Sequence, residues 1–342
     1  MAVRFYEPRV IRLEQVDVPK INRDELLVRN EVALTCGTDL KMYLRGHRLV
    51  TPPLIIGHEF AGTVEQVGDD VTGFAKGMRV VAANSAPCLS CYFCRIGKPN
   101  LCEHLDEVLV GFSCPGAYAE YVRLPGRIVK QNTHEIPEDV SFEEAAFLEP
   151  LACVVHGGEL AEVKAKDLVF VIGAGPIGLL HVQLAKAYGA KSVVVADASS
   201  GRLRRATELG ADLTVDSTDP VSEIRKLSEN RGADVTIEAV GKPETWELAV
   251  QATRKGGTAV LFGGCPAGST AAIDTGAVHY GELTLKGVFH HAPGNVRDAL
   301  RLISTRQVKV APLITHRMKL SETEAALRLM QSGTAIKVAL TP

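Results

Sequence analysis

The sequence has no apolar run long enough to span a bilayer, and its opening Met1-Ala-Val-Arg-Phe-Tyr lacks the apolar core of a signal peptide. Neither a membrane-spanning nor an exported protein is expected, and the chain reads as cytoplasmic. No excess of basic charge is present: 38 Lys and Arg stand against 40 Asp and Glu, a formal charge of −2, so there is no footprint for nucleic acid. Aromatics make up only 5% of the residues while hydrophobic residues reach 46%. That aliphatic bias suits parallel sheets covered by helices. Internal repeats and low-complexity segments are missing too. The 342 residues suffice for two domains, each with its own core.

The rhythm of the chain changes near residue 150. Before it, short β-like runs at Val10–Leu13, Glu25–Leu34, Phe60–Val67 and Met78–Ala82 are punctuated by Pro and Gly, which predicts an irregular, mostly β domain. The strand-like pattern returns over Gly116–Val129. Ser141, with Glu144 three residues on, predicts a capped helix reaching His156. After residue 150, strand-like runs alternate with helical ones: Leu168–Ile172, Ser192–Ala196, Leu213–Val215, Val235–Ala239, Thr258–Phe262 and Leu283–Phe289 are the strands. Six strands with helical crossovers predict a doubly wound parallel sheet, an α/β fold. The tail adds two amphipathic helices and a closing strand at Ala335–Leu340.

Within this half, the strand Leu168–Ile172 runs into Gly173-Ala-Gly175-Pro176-Ile177-Gly178, a G-x-G-x-x-G turn opening a helix. The first glycine permits a tight turn, the second admits a pyrophosphate, and the third allows close helix–strand packing. The helix N-terminus, including Pro176 and Ile177, presents N–H groups to phosphate. The next strand ends at Asp197, nineteen residues beyond Gly178, where a ribose-binding carboxylate belongs. This context predicts a dinucleotide site. Asp197 would repel a 2′-phosphate, favouring NAD over NADP, while a nearby arginine such as Arg202 could pair with that phosphate.

Eight cysteines in a reducing compartment point to metal ligation or free thiols. Cys88, Cys91, Cys94 and Cys102 have the spacing C-x2-C-x2-C-x7-C. Four thiolates in one loop close a tetrahedron around zinc with no open position, a structural site; disulfides and an iron–sulfur cluster are the rivals. Cys114, Cys153 and Cys265 read as ordinary thiols. Cys36, His58 and Glu59 offer one thiolate, one imidazole and one carboxylate, a set that suits catalytic zinc with a fourth position open. Taken singly, each also has a bland reading: a small buried thiol, a core histidine and a loop carboxylate.

Gly57-His58-Glu59-x-x-Gly62-x5-Gly68-x-x-Val71 resembles the signature of zinc-containing medium-chain alcohol dehydrogenases, and the four-cysteine loop and dinucleotide fold follow in that family's order. The resemblance implies a GroES-like catalytic domain from residues 1–150 and 290–342, with a Rossmann domain, 151–289, inserted between them. Glu149-Pro-Leu-Ala resembles the sorbitol or polyol dehydrogenase branch. Carried over, Cys36, His58 and Glu59 become zinc ligands, and Glu149 becomes a ligand or the holder of a zinc-bound water.

The family further implies two zinc ions per subunit, with Thr38 taking the alcohol proton and hydride passing to the nicotinamide. Lys41 stands where relatives often carry a proton-relaying histidine, and is expected to contact cofactor phosphate or ribose instead. Phe262-Gly263-Gly264 and Val288-Phe289-His290 align with segments contacting the nicotinamide half, and the resemblance implies that Arg202 covers the adenine. His290-His291 replaces the Arg-Tyr typical of polyol enzymes. The expected function is hydride transfer between NAD and a secondary alcohol (a polyol, diol or sugar alcohol), by a homotetramer or homodimer. A threonine-type dehydrogenase and a non-catalytic NAD(H) sensor are the alternatives.

Overall fold

Ala2–Glu7 pairs antiparallel with Val10–Glu14, and Leu26–Leu34, buried along most of its length, pairs antiparallel with Glu59–Val67. The computed structural model describes residues 1–216 and 218–342. The chain divides into two compact units: Met1–Ala152 with His291–Thr305 and Val310–Pro342, and Cys153–His290 with Arg306–Lys309. The sequence had assigned 306–309 to the catalytic domain. The structure groups this segment with the second unit, where the Gln183 side chain donates to the Lys309 carbonyl at 3.0 Å and accepts from its amide at 2.7 Å.

The first unit is built on a seven-stranded sheet. Its spatial order is Ile314–Lys319, Lys337–Thr341, Leu26–Leu34, Glu59–Val67, Arg79–Ala82 and Thr133–Glu135, with Tyr121–Leu124 also pairing Leu26–Leu34. The closing strand lies beside the early one in fixed register: Ala339 faces Leu34, which in turn faces Glu59. Two residues back from Ala339, Lys337 lies on the same face, level with Cys36, which stands two residues beyond Leu34. Phe5, Leu26, Val28, Phe60, Val80, Tyr118, Leu124 and Leu340 fill the core of this unit.

The second unit carries a six-stranded parallel sheet in the order Leu213–Asp216, Ser192–Asp197, Leu168–Ile172, Ala233–Glu238, Thr253–Leu261 and Thr284–Gly287. Strand order reverses on either side of Leu168–Ile172, which is the topological switch point of a doubly wound fold. Phe170, Ile172, Val194, Ile224, Ala249 and Leu261 form its core.

Three further expectations needed correction. The helix expected from Ser141 to His156 is two, Phe142–Ala145 and Leu148–Ala161. Gly116–Val129 is not continuously extended: the strand Tyr121–Leu124 stops at Pro125, and Gly126–Asn132 is a helix burying Ile128, Val129 and Asn132. The strand expected over Leu283–Phe289 spans only Thr284–Gly287. Among the described residues no helix is long and apolar enough to cross a membrane.

Candidate metal centres and dinucleotide site

Leu26–Leu34 delivers Cys36 to the start of the helix Gly37–Arg45, where it serves as N-cap. Its sulfur accepts from the Thr38 amide at 3.4 Å, while the Asp39 carboxylate accepts from the Cys36 amide at 2.9 Å. This reciprocal pair is a capping box built with cysteine. His58 immediately precedes the strand Glu59–Val67. The cross-strand register sets Glu59 beside Leu34, so the two motifs converge. Ligand atoms of Cys36, His58 and Glu59 all lie within 4.8 Å of one another.

Asp39, fully buried, organises the centre. Its Oδ1 lies 3.1 Å from His58 Nδ1, and its Oδ2 accepts from the Tyr118 hydroxyl at 2.7 Å. An ionised carboxylate only accepts, so Nδ1 carries the proton and Nε2 is left as the metal-binding nitrogen. Burial pushes the Asp39 carboxyl up, yet the His58 charge and the hydrogen bonds from His58, Tyr118 and the Cys36 amide hold it below its ordinary value. Burial likewise pushes His58 down, but Asp39 and Cys36 outweigh it and hold the imidazole well above its usual range.

Glu59 is the third member. Burial raises its carboxyl to about 7, with Glu149 adding to the effect against Lys337 and His58. Its Oε2 accepts from the buried ammonium of Lys337, and Oε1 is buried with no hydrogen-bond partner among the described residues. An orphaned acceptor beside a thiol and an imidazole is what a divalent cation would satisfy, so this donor set fits zinc. Glu149, in the first turn of the helix Leu148–Ala161, is buried and near enough to act electrostatically on Glu59. Thr38 is half-buried in the first turn of its helix, whereas Lys41 is exposed on that helix.

The four-cysteine loop also converges: the sulfurs of Cys88, Cys91, Cys94 and Cys102 lie within 4.8 Å of each other. Amides point at them, with Ser90 and Cys91 donating to Cys88 at 3.4 and 3.3 Å, and Cys88 and His104 to Cys102 at 3.2 and 3.4 Å. Hydrogen bonds from Ser90 pull the Cys88 thiol down to about 5, while burial and the neighbouring thiols push Cys94 up to about 12. Four sulfurs this close cannot all ionise unaided; a dication removes the conflict, so a tetrathiolate zinc site fits.

In the second unit the turn after Leu168–Ile172 leads into the helix Pro176–Ala187, capped by Gly175 without any side-chain hydrogen bond. A Cβ on Gly175 would meet nothing within 4 Å, whereas one on Gly178 would lie 1.8 Å from the Gly173 carbonyl oxygen. The second glycine thus faces open space that a pyrophosphate fits, and the third is demanded by packing. Asp197 ends its strand with Oδ2 accepting from the Ala174 amide and Oδ1 from the Ser199 amide, both at 2.8 Å. Each oxygen retains a lone pair for a ribose hydroxyl. Arg202 sits in the first turn of the next helix, its Nε buried and unpartnered among the described residues.

Phe262, Gly263 and Gly264 follow the strand Thr253–Leu261. Glu238, which the sequence reading missed, ties them to a neighbouring loop. Its Oε1 accepts from Val240, Gly241 and Thr245 at 2.8, 2.7 and 2.7 Å, and Oε2 from the Gly263 amide at 3.2 Å. Val288 donates to the Leu261 carbonyl at 3.3 Å, Phe289 is largely exposed, and His290 adopts φ +60°.

Sequence reasoning also passed over Asp39, Tyr118 and Lys337. Asp39 carried a signal, an acid three residues after a cap position. Lys337 carried another: a lysine inside an otherwise apolar closing strand, on the face that includes Ala339. For Tyr118, 79 residues from its partner Asp39, we find no local signal.

Comparison with known proteins agrees with this architecture. The family profile described as "Alcohol dehydrogenase GroES-like domain" matches residues 22–137, and "Zinc-binding dehydrogenase" matches 176–305. The chain is 34% identical over 337 residues to a sorbitol dehydrogenase of Bombyx mori, covering 96% of this chain and 94% of the relative. It is 33% identical over 334 residues to an L-threonine 3-dehydrogenase of Xanthomonas campestris pv. campestris, covering 96% of each. Among solved structures it is similar to one described as a zinc-binding dehydrogenase from Sinorhizobium meliloti 1021 bound to NADP. The TM-score is 0.93 and identity 34%, over 100% of this chain and 98% of the other. With both profiles matched in order over most of its length, the chain belongs to the zinc-containing medium-chain alcohol dehydrogenase family.

Proposed function

We propose that this enzyme passes hydride between NAD and the carbinol carbon of a secondary alcohol, of polyol, diol or sugar-alcohol type. The observation that carries the reading is the convergence of Cys36, His58 and Glu59 within 4.8 Å of one another, with Asp39 orienting the imidazole. Zinc held by these three would supply Lewis acidity, lowering the pKa of an alcohol hydroxyl into the neutral range. The Thr38 hydroxyl, two residues from Cys36, accepts that proton and passes it outward. Glu149 orients the substrate oxygen. Glu149 and His291 are both buried, with ligand atoms within 4.8 Å of each other, and offer hydrogen bonds to a neighbouring hydroxyl of a polyhydroxy substrate. The Rossmann unit holds the dinucleotide through Gly175 and Asp197, and the carboxylate of Asp197 disfavours a 2′-phosphate. The second reading, a threonine-type dehydrogenase, is favoured by the 33% identity to the Xanthomonas enzyme.

A spectrophotometric screen of diols, polyols, sugar acids and L-threonine, each with NAD and with NADP, tests both readings. The expected outcome is NADH formation from a vicinal diol or polyol, abolished by Cys36→Ser, with NADPH formed at least about tenfold more slowly. Turnover of L-threonine alone would install the second reading. No turnover of any alcohol by zinc-replete protein would overturn both.

A further inference from the structure

The buried ammonium of Lys337 is not needed to satisfy the sheet or the capping of any helix. Its side chain is 2% exposed, its hydrogen-bonded partner among the described residues is Glu59, and its Nζ lies 5.8 Å from the centroid of the Phe147 ring. A cation taken from water to this depth is costly unless it answers a specific negative charge. The register of the closing strand against Leu26–Leu34 fixes it there, beside Cys36 and Glu59.

What Lys337 does follows from which oxygen it takes. Glu59 Oε2 is bound to the ammonium, while Oε1 is buried with no partner among the described residues. A carboxylate unrestrained beside a dication swings to offer both oxygens, which raises the coordination number and fills the position a substrate needs. We propose that Lys337 is a positioning residue of the catalytic metal centre: by holding one oxygen of Glu59 it limits that residue to a single metal-directed oxygen and keeps a coordination position open. Charge agrees with this role. Cys36, Glu59 and Glu149 bring three negative charges to a 2+ ion when ionised, and Lys337 restores neutrality, which keeps the metal from being bound too tightly by carboxylates alone.

This inference rests on the metal-centre reading above, and its test separates the two. Cobalt(II) is loaded into the parent protein, Lys337→Met, Lys337→Arg and Cys36→Ser, and the visible d–d absorption and cobalt affinity are measured. One cobalt fewer per chain in Cys36→Ser than in the parent establishes the centre, and the Cys36→Ser spectrum, which carries the four-cysteine loop alone, is subtracted from the others; without that difference the metal-centre reading and this inference both fail. In Lys337→Met, Glu59 is released: the d–d intensity falls about twofold or more as coordination number rises, and cobalt is held about tenfold more tightly. Lys337→Arg keeps the parental spectrum. A merely structural lysine predicts the opposite sign, weaker binding in a loosened site. A parental spectrum and affinity in Lys337→Met overturn the inference and leave the metal centre standing. Should Lys337→Met not fold, X-ray absorption on the zinc form of the parent decides. One short carboxylate oxygen per catalytic zinc supports the inference, and a bidentate Glu59 overturns it.

Discussion

At the scale of single residues, Asp39 sets the chemistry of His58, and the pair makes a pH-dependent statement about the metal-free protein. Asp39 titrates below its ordinary 3.8 in the fold, so its contribution is present above that pH and is lost as pH falls through the folded value. His58 titrates well above 6.5, so its contribution is complete below 6.5 and is lost as pH rises through its folded value. Without metal, the ion pair therefore stabilises the fold most between these limits. In chelated protein, Asp39→Asn should lower the melting temperature most near pH ~5.5, and the penalty should shrink as pH rises through the folded value of His58. Differential scanning calorimetry across an alkaline pH series checks this, and a penalty as large at pH ~5.5 as at every higher pH would mean that the pair is not ionised. In zinc-loaded protein the same substitution frees the imidazole to turn, and zinc affinity should drop about 10- to 100-fold. The convergence of Cys36, His58 and Glu59 was legible from two segments, Thr35-Cys-Gly-Thr38 after a strand and the glycine-punctuated run that begins Gly57-His-Glu. Lys337 was not: its partner is 278 residues away, and only the strand register brings them together.

At the scale of elements, the turn that opens the helix Pro176–Ala187 separates two kinds of glycine. The Cβ of Gly178→Ala would overlap the Gly173 carbonyl, a backbone atom that cannot swing aside, so the turn or the helix must move. Overpacking of this kind costs about 1–3 kcal/mol or more, and Gly178→Ala should melt several degrees below the parent with or without cofactor. Gly175→Ala adds a methyl to open space and should fold at nearly the parental temperature, yet bind NADH about tenfold or more weakly, because the methyl occupies the approach to the helix N-terminus. Thermal melts paired with NADH fluorescence titrations distinguish the two variants, and equal melting losses in both would refute the assignment. This element was readable because strand, glycine turn and helix signals follow one another without a gap. Gly126–Asn132 was misread for an opposite reason. Its β-branched Ile128 and Val129 mimic a strand, and only the burial of Ile128 and Asn132 four apart reveals the helical face.

At the scale of the whole molecule, the change of rhythm near residue 150 marked two kinds of packing, whereas the return of Arg306–Lys309 to the second unit rests on hydrogen bonds with Gln183 that no local pattern announces. Each unit has its own apolar core, and each donor set lies within one unit: the thiol, imidazole and carboxylate centre and the four-cysteine loop in the first, the glycine turn and Asp197 in the second. A ligand stabilises the state that binds it, by an amount that grows with the logarithm of concentration over its dissociation constant. Stabilisation by zinc should accordingly fall on the first unit and stabilisation by NADH on the second. The loop from Cys88 to Cys102 has Leu89, Tyr92 and Ile96 exposed and little apolar interior of its own, so a metal held by its four sulfurs would order it more than packing does. Replacing Cys94 by Ser should remove one zinc per chain, make residues 88–108 exchange amide hydrogens faster by about 10- to 100-fold, and leave the NADH dissociation constant within about threefold of the parent. Metal analysis, hydrogen exchange read by mass spectrometry, and fluorescence titration on one preparation supply the three readings. Exchange accelerating equally in the strands Leu168–Ile172 and Ser192–Asp197 would show instead that the units unfold as one, and that zinc in the cysteine loop supports the dinucleotide site as well.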